Sequence, residues 1–290
     1  MTLPFALPAP EGFKSQPLWN GFKFIYDDQA IPVLEYSENF AGWSDDLTAL
    51  HEAAAGDSHP IDLASRNDAL AQVGLSLPSG QAVIMEIGCS SGFLIRDLVK
   101  TFPQSVVIGA DVVKEPLHKL AKVLPGVPLI RFDLLQCPLP EKSVDVLVML
   151  NVLEHIEDDV LALKNAYKLL KPGGSLVIEV PAGQYLYDSY DEQLHHFRRY
   201  SASELRSKLV HAGFTVTRRS HLGFLLFPAF AVVKLLNKIR GRSKTIVQDQ
   251  AANTSSSALV AIAMKLEAKL LKLFSLPYGI RVLMTAKRGA

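Results

Sequence analysis

Residues 82–93, AVIMEIGCSSGF, decide how this sequence folds. The run from Ala82 to Ile87 is apolar except for Glu86, as expected of a strand buried on both faces. Gly88 and Gly92 bracket a short loop, and Phe93–Phe102 then shows helical spacing that stops before Pro103. A strand that passes through glycines into a helix offers unsatisfied backbone N–H groups and lets a ligand approach the main chain. Open α/β sheets bind ligands at this edge, outside the carboxyl ends of their strands. The form of the loop narrows the choice. A dinucleotide fingerprint needs G-x-G-x-x-G, whereas this loop reads E-x-G-x-x-x-G, with Ser90 where a second glycine would admit a pyrophosphate. A P-loop needs Lys after its last glycine, and Phe93 and Leu94 follow instead.

Outward from the loop, short apolar runs alternate with helix-period segments, the pattern of repeated β-α-β units. The spacing predicts strands at Ser105–Ala110, Pro128–Phe132, Ser143–Leu150 and Ser175–Val180, and helices at Glu115–Leu124 and Asp158–Leu170. The second of these helices stops at Lys171-Pro172-Gly173-Gly174. Ser201 followed by Glu204 forms a capping-box pattern, opening a helix that ends at Ala212-Gly213. Strands are expected at Phe214–Arg218 and around Ile280–Ala286. Upstream, Asp45–Ala55 has helical spacing with Ser44 as a cap. The expected fold is α/β: a Rossmann-like, doubly wound, mostly parallel seven-stranded sheet. An N-terminal extension or lid occupies residues 1–80, the main domain residues 81–290, and a helical insertion residues 222–277.

The loop EIGCSSG resembles motif I of class I S-adenosylmethionine-dependent methyltransferases, and the likeness continues in order along the core. VVIGADVV ends in Asp111, RFDLL carries Asp133, DVLVMLNVLEHIEDD is similar to the family's fourth-strand motif, and LLKPGGSLVIEVP to its fifth. The stretch LHHFRRYSASELRSKLVHAGF and the closing LFSLPYGIRVLMTAKR resemble methyltransferases of the type 11, 12 and 23 kind found alongside cell-surface glycan synthesis. The likeness covers residues 80 to 287. It implies that the cofactor is S-adenosyl-L-methionine, with S-adenosyl-L-homocysteine as product. By that resemblance Gly88, Cys89, Ser90 and Gly92 would lie against the methionine part and Glu86 would orient the loop or a nearby ribose or amino group. Asp111 would bind the ribose with Val112 on the adenine, Asp133 and Leu134 would read the adenine edge, and Asn151 and Val152 would border the sulfonium. The departure is Cys89-Ser90-Ser91, where C-G-x-G is commoner.

A sulfonium methyl is already activated, so catalysis is chiefly in-line positioning, with a base where the acceptor must lose a proton. The candidate catalytic residues are His155, after the fourth core strand, and Tyr185, His195 and His196, after the fifth. Arg198 and Arg199 could pair with an anionic acceptor or with Asp188, Asp191 or Glu192. The acceptor is expected to be a small molecule, a glycan or a lipid-linked compound. A non-catalytic module that holds S-adenosylmethionine, or a protein methyltransferase, is the alternative.

Lys and Arg number 30 against 29 Asp and Glu, a balance that disfavours nucleic acid as partner. With 49% hydrophobic and 20% charged residues, the chain can bury a sizeable core. Cys89 and Cys137 match no metal spacing and read as reduced thiols, so no metal site is expected. Met1–Pro10 lacks a positive n-region and is broken by Pro4, Pro8 and Pro10, which argues against a signal peptide and for a cytoplasmic location. Within residues 222–244, an apolar stretch runs into Lys234, Lys238, Arg240, Arg242 and Lys244. One reading rests this segment on an anionic membrane; the other makes it a helical hairpin that covers the acceptor pocket or joins two copies of the chain. Residues 249–257 read as a polar, low-complexity loop, and Leu259–Phe274 as a helix with Lys265, Lys269 and Lys272 on one face. Among the aromatics of the extension, Trp19, Tyr26 and Trp43 are candidates for acceptor contact or for the core.

Overall fold

Alternation inside the first core strand sets the layers. Val83, Met85 and Ile87 enter one hydrophobic core, and Ile84 enters a second core on the opposite face of the sheet. The neighbouring strand behaves alike, sending Leu147 and Met149 to the first core and Val146 and Val148 to the second. Strands wet on neither face must be apolar throughout, which is why the sequence shows them as continuous runs.

The computed structural model of the chain describes residues 2–37, 57–240, 258–271 and 273–290. The predicted helix at 45–55, Trp43, the polar stretch 249–257, Arg242, Lys244 and Lys272 lie outside the described residues, as do the side chains of 237–240.

The extension supplies β1 (Leu18–Trp19), β2 (Phe24–Tyr26), β3 (Gln29–Ile31), β4 (Val33–Glu35) and helix α1 (Pro60–Ser76). The core follows as β5 (Val83–Ile87), α2 (Phe93–Thr101), β6 (Val106–Asp111), α3 (Lys114–Val123), β7 (Leu129–Arg131), β8 (Val144–Leu150), α4 (Asp159–Leu169) and β9 (Leu170–Pro181). Short α5 (Ser189–Gln193), α6 (Ala202–His211) and β10 (Thr215–Leu222) come next. The insertion holds α7 (Phe227–Arg240) and α8 (Ala258–Leu271), and β11 (Arg281–Lys287) closes the series.

The central sheet has eight strands, in the order β10-β11-β9-β8-β5-β6-β7-β4. Seven were expected. The eighth is β4, a three-residue strand from the extension that pairs in parallel with β7, Val33 opposite Leu129. So short a strand shows no periodicity, and only its partner's open edge gives it a place. Strands β9 through β4 run parallel, while β11 and β10 are antiparallel to their neighbours. The separate hairpins β1-β2-β3 form a small sheet whose Trp19, Phe24 and Tyr26 are buried in the first core. Helix α1 contributes Ala69 and Val73 to the second core. Leu222, Met264, Ile280 and Leu283 form a third cluster beneath the insertion, joined by Ile61 and Ala64.

Candidate active site

At the carboxyl edge of the sheet, the loops after β5, β6, β7, β8 and β9 meet in one cavity of about 550 Å³. Gly88 and Ser90, Asp111 and Val112, Asp133 and Leu134, Asn151, Val152 and His155, and Pro181 all line it. Helix α1 brings Ile61 and Asp62, helix α7 brings Phe230 and Lys234, and α8 brings Val260. Helices α7 and α8 of the insertion therefore form part of the cavity wall.

The first loop is held by its own strand ends. The N–H of Gly88 donates to Ala110 O at 2.8 Å, and Asp111 accepts from the Ser90 N–H at 2.8 Å and from the Val113 N–H at 3.1 Å. Gly88 lies at φ +79°, and a Cβ there would meet Val152 Cγ2 at 2.3 Å. Ser90, at φ 45°, takes a left-handed conformation without being glycine. Asp133 Oδ1 accepts the Leu135 N–H at 2.8 Å. Glu86 is buried beneath the loop, and its Oε2 has no hydrogen-bond partner among the described residues. Burial, reinforced by the charge of Asp111, pushes its carboxyl well above the ordinary range. Cys89 and Gly92 lie outside the lining: the Cys89 thiol is buried in the second core, and Gly92 is the cap of α2 with Leu120 against it.

Past the loop, Asn151 sits at φ 53°. Its N–H donates to Glu179 O at 2.9 Å and its side-chain amide to Glu179 Oε1 at 2.9 Å. Glu179 also accepts from Ser65 Oγ at 2.6 Å and from Arg281 Nη1 at 2.8 Å, and Arg281 Nη2 reaches Asp62 at 2.6 Å. Burial opposes ionisation of Asp62, but the Arg281 guanidinium outweighs it and holds that carboxyl far below its ordinary range.

A second buried network stands across the cavity wall. Asp191 accepts from His196 Nδ1 at 2.8 Å, from Arg199 Nε at 2.7 Å and from Lys234 Nζ at 3.2 Å, and Asp188 accepts from Lys234 at 2.6 Å. Burial alone would raise the Asp191 carboxyl; the His196 hydrogen bond and the two cations reverse this and keep it ionised. Burial lowers the His196 imidazole below its ordinary range despite Asp191, so it is neutral near pH 7. His155 and His196 touch ring to ring, with centroids 4.6 Å apart. Beside them Glu154, 1% exposed, has neither carboxylate oxygen hydrogen-bonded among the described residues, and burial pushes its carboxyl up to about 8.

Of the four candidate catalytic residues, the structure brings His155 and His196 to the cavity and leaves two away from it. Tyr185 is 66% exposed, turned outward by a 3-10 turn over Gly183. His195 is also exposed, because it follows α5 at φ 54° and points away from its neighbour. The arginines take the ion-pair option: Arg199 pairs with Asp191, and Arg198 pairs with Asp159 at 2.8 Å, a partner the sequence did not suggest. Trp19 and Tyr26 are core residues. Sequence reasoning missed Asp62, Glu154, Glu179 and Arg281. Lys234 had a signal, a lone cation inside an apolar run, which marks a buried pair as readily as a surface charge.

Residues 85–178 match the family described as methyltransferase domain. A Mycolicibacterium smegmatis protein named "probable S-adenosylmethionine-dependent methyltransferase" is 31% identical over 138 residues, 46% of this chain and 52% of its own. Trans-aconitate 2-methyltransferase of Azoarcus sp. is 30% identical over 145 residues, 50% of this chain and 53% of its own. Among solved structures, phosphoethanolamine N-methyltransferase 2 of Haemonchus contortus superposes with a TM-score of 0.55 at 17% identity, over 84% of this chain and 57% of that one. The fold alone does not fix the reaction, since the [4+2]-cyclase SpnF superposes with a TM-score of 0.51 at 16% identity, over 77% of this chain and 81% of that one. Over residues 85–178 the ordered motifs, the parallel strands and the family match together are those of a class I S-adenosylmethionine-dependent methyltransferase domain. The chain spans about half the length of the curated relatives it matches.

Proposed function

We propose that the chain transfers a methyl group from S-adenosylmethionine to a small acceptor held in the same cavity. The observation that carries this reading is the continuity of that cavity, which is lined both by the donor-type residues Gly88, Asp111 and Asp133 and by the ionisable residues Glu154, His155 and His196. The donor side fits the cofactor. Bare backbone at Gly88 and strand-end carboxylates at Asp111 and Asp133 suit a ligand with ribose hydroxyls and an adenine edge. In this reading Gly88, Ser90, Asp111, Val112, Asp133, Leu134, Asn151 and Val152 hold the cofactor, and Glu86, Cys89 and Gly92 shape the loop from behind. The cofactor supplies an activated methyl group. The chain's residues bind it, orient the acceptor against it and exclude water, with Asn151 locked in place through Glu179.

Relatives named for trans-aconitate support a small-molecule acceptor. A lipid-linked acceptor has separate support in the insertion, which leaves Val232, Val233, Leu235 and Leu236 of α7 and Leu259, Ile262 and Leu266 of α8 exposed, with Lys265 and Lys269 beside them. Val233 also lines the cavity, so this apolar face reaches its mouth. No described helix is long and apolar enough to cross a membrane.

Isothermal titration with S-adenosylhomocysteine tests the donor site. Binding is expected to weaken at least tenfold in Asp111→Ala, and affinity indifferent to that change would refute the assignment. Methyl transfer from radiolabelled donor to a panel of small carboxylates, sugars and isoprenoid-linked glycans then tests the acceptor.

A further inference from the structure

Glu154 is the odd residue of the cavity. Every other carboxylate along its wall has a partner: Asp62 has Arg281, Asp111 two backbone N–H groups, and Asp133 the Leu135 N–H. The cavity's cations are committed as well, Arg281 to Asp62 and Glu179, Arg199 to Asp191, and Lys234 to Asp188 and Asp191. Glu154 is buried and lines the cavity, yet neither of its oxygens has a hydrogen-bond partner among the described residues. A buried carboxylate left without hydrogen bonds is costly, and a cation placed beside it removes that cost.

Two imidazoles stand where such a cation would need them. Glu154, His155 and His196 each bring a ligand-type atom within 4.8 Å of the others. Atoms sharing one ion at about 2.1 Å sit on the order of 3 to 4 Å apart, so small side-chain rotations close the set. The backbone fixes their approach. Residues 153–155 form a 3-10 turn directly after β8, the Phe197 N–H donates to Glu154 O at 2.8 Å, and the His196 N–H donates to Asp191 O at 2.9 Å. The His196 ring is oriented from behind, since its Nδ1 donates to Asp191, which leaves Nε2 as the liganding atom. A carboxylate behind a metal-bound imidazole is the usual outer-shell arrangement and raises the basicity of the ring.

We propose that Glu154, His155 and His196 form a binding site for one divalent first-row transition-metal ion on the acceptor side of the cavity. Two nitrogens and one carboxylate oxygen suit an ion of the Mn²⁺, Fe²⁺, Co²⁺ or Zn²⁺ class and leave positions open for oxygen atoms of an acceptor. The site deepens the methyl-transfer reading and rests on it only for the acceptor's role; the ion binds whether or not a donor is present. His196 lies 41 residues beyond His155, so no sequence spacing announces the set.

Titration of Co²⁺ and Mn²⁺ into the untagged, chelator-treated full-length chain, read by visible absorption and by electron paramagnetic resonance, tests this. One saturable ion per chain is expected, with affinity reduced at least tenfold in Glu154→Gln and His196→Ala and unchanged in His211→Ala, an exposed histidine at the end of α6. Glu154→Gln is isosteric and keeps the test valid should His196→Ala unfold, and circular dichroism checks both. Non-saturable binding by folded wild type, or affinity that survives Glu154→Gln, overturns the proposal. So does a Glu154→Gln chain that loses S-adenosylmethionine affinity while binding the ion as before, because the carboxylate then serves the donor's own charge. Stoichiometric ion binding without donor binding would instead leave the metal site standing and remove the methyl-transfer reading.

Discussion

Gly88 joins backbone strain and close packing at a single position. Any side chain there must accept φ +79° and displace Val152, whose Cγ2 lies 2.3 Å from the ideal Cβ. Gly88→Ala is expected to cost about 2 to 4 kcal/mol, combining a left-handed penalty with local overpacking, and to weaken donor binding in parallel. Urea unfolding and titration calorimetry on one preparation read both effects. Two residues earlier, Glu86 ties stability to pH. Its carboxyl is raised by burial and by Asp111, so the folded state keeps a proton that the unfolded state releases. Its stabilising contribution is complete below the ordinary glutamate range and declines as pH rises through the folded value, by at most about 1.4 kcal/mol per pH unit. Unfolding free energies measured from pH 5 to 8 should fall less steeply in Glu86→Gln than in the wild type. Equal slopes would mean that Glu86 is ionised in the folded chain. Glu86, Asp111 and Asp133 were readable because each lies within two residues of the end of its strand. Asp62 and Arg281 were not, since the fold alone brings them to the cavity.

Among the elements, α7 is tied to the core by a buried cation as well as by Phe227 and Phe230. Lys234 is 1% exposed and reaches Asp188 and Asp191. Removing one partner of a buried pair costs about 3 to 5 kcal/mol where a charge is left uncompensated. In Lys234→Met, Asp191 keeps His196 and Arg199, so a loss near the lower end, about 3 kcal/mol, is expected. It should show as faster proteolysis between residues 223 and 280 while the sheet stays protected, and cleavage at the wild-type rate would contradict the tether. The same logic explains which elements the sequence revealed. Strands β5, β6 and β8 are buried apolar runs and were legible to within a residue, whereas β9 begins at Leu170, five residues before the expected Ser175, because residues 171–174 carry no apolar pattern. Helix α1 escaped because its buried face includes Ser65 and Arg66, which interrupt an apolar stripe.

At the scale of the whole molecule, the insertion places an apolar face beside the cavity mouth. If this face meets lipid, the chain should pellet with vesicles containing anionic lipid at low salt and be released as salt is raised. Val232→Ser combined with Leu236→Ser should reduce pelleting several-fold while leaving S-adenosylhomocysteine affinity unchanged. No vesicle-dependent pelleting in the wild type would confine the acceptor to soluble compounds.

The closure of the sheet and the cavity by distant segments also bears on biosynthesis. Strand β4 pairs with residues about a hundred positions later, and Asp62 waits for Arg281, 219 positions away. During synthesis β4 must therefore wait until nearly half of the chain has been made, and Asp62 until almost all of it has. The cavity wall is completed only after translation has passed residue 281, so a nascent chain interrupted before that point would carry the methyltransferase motifs without a closed pocket to use them.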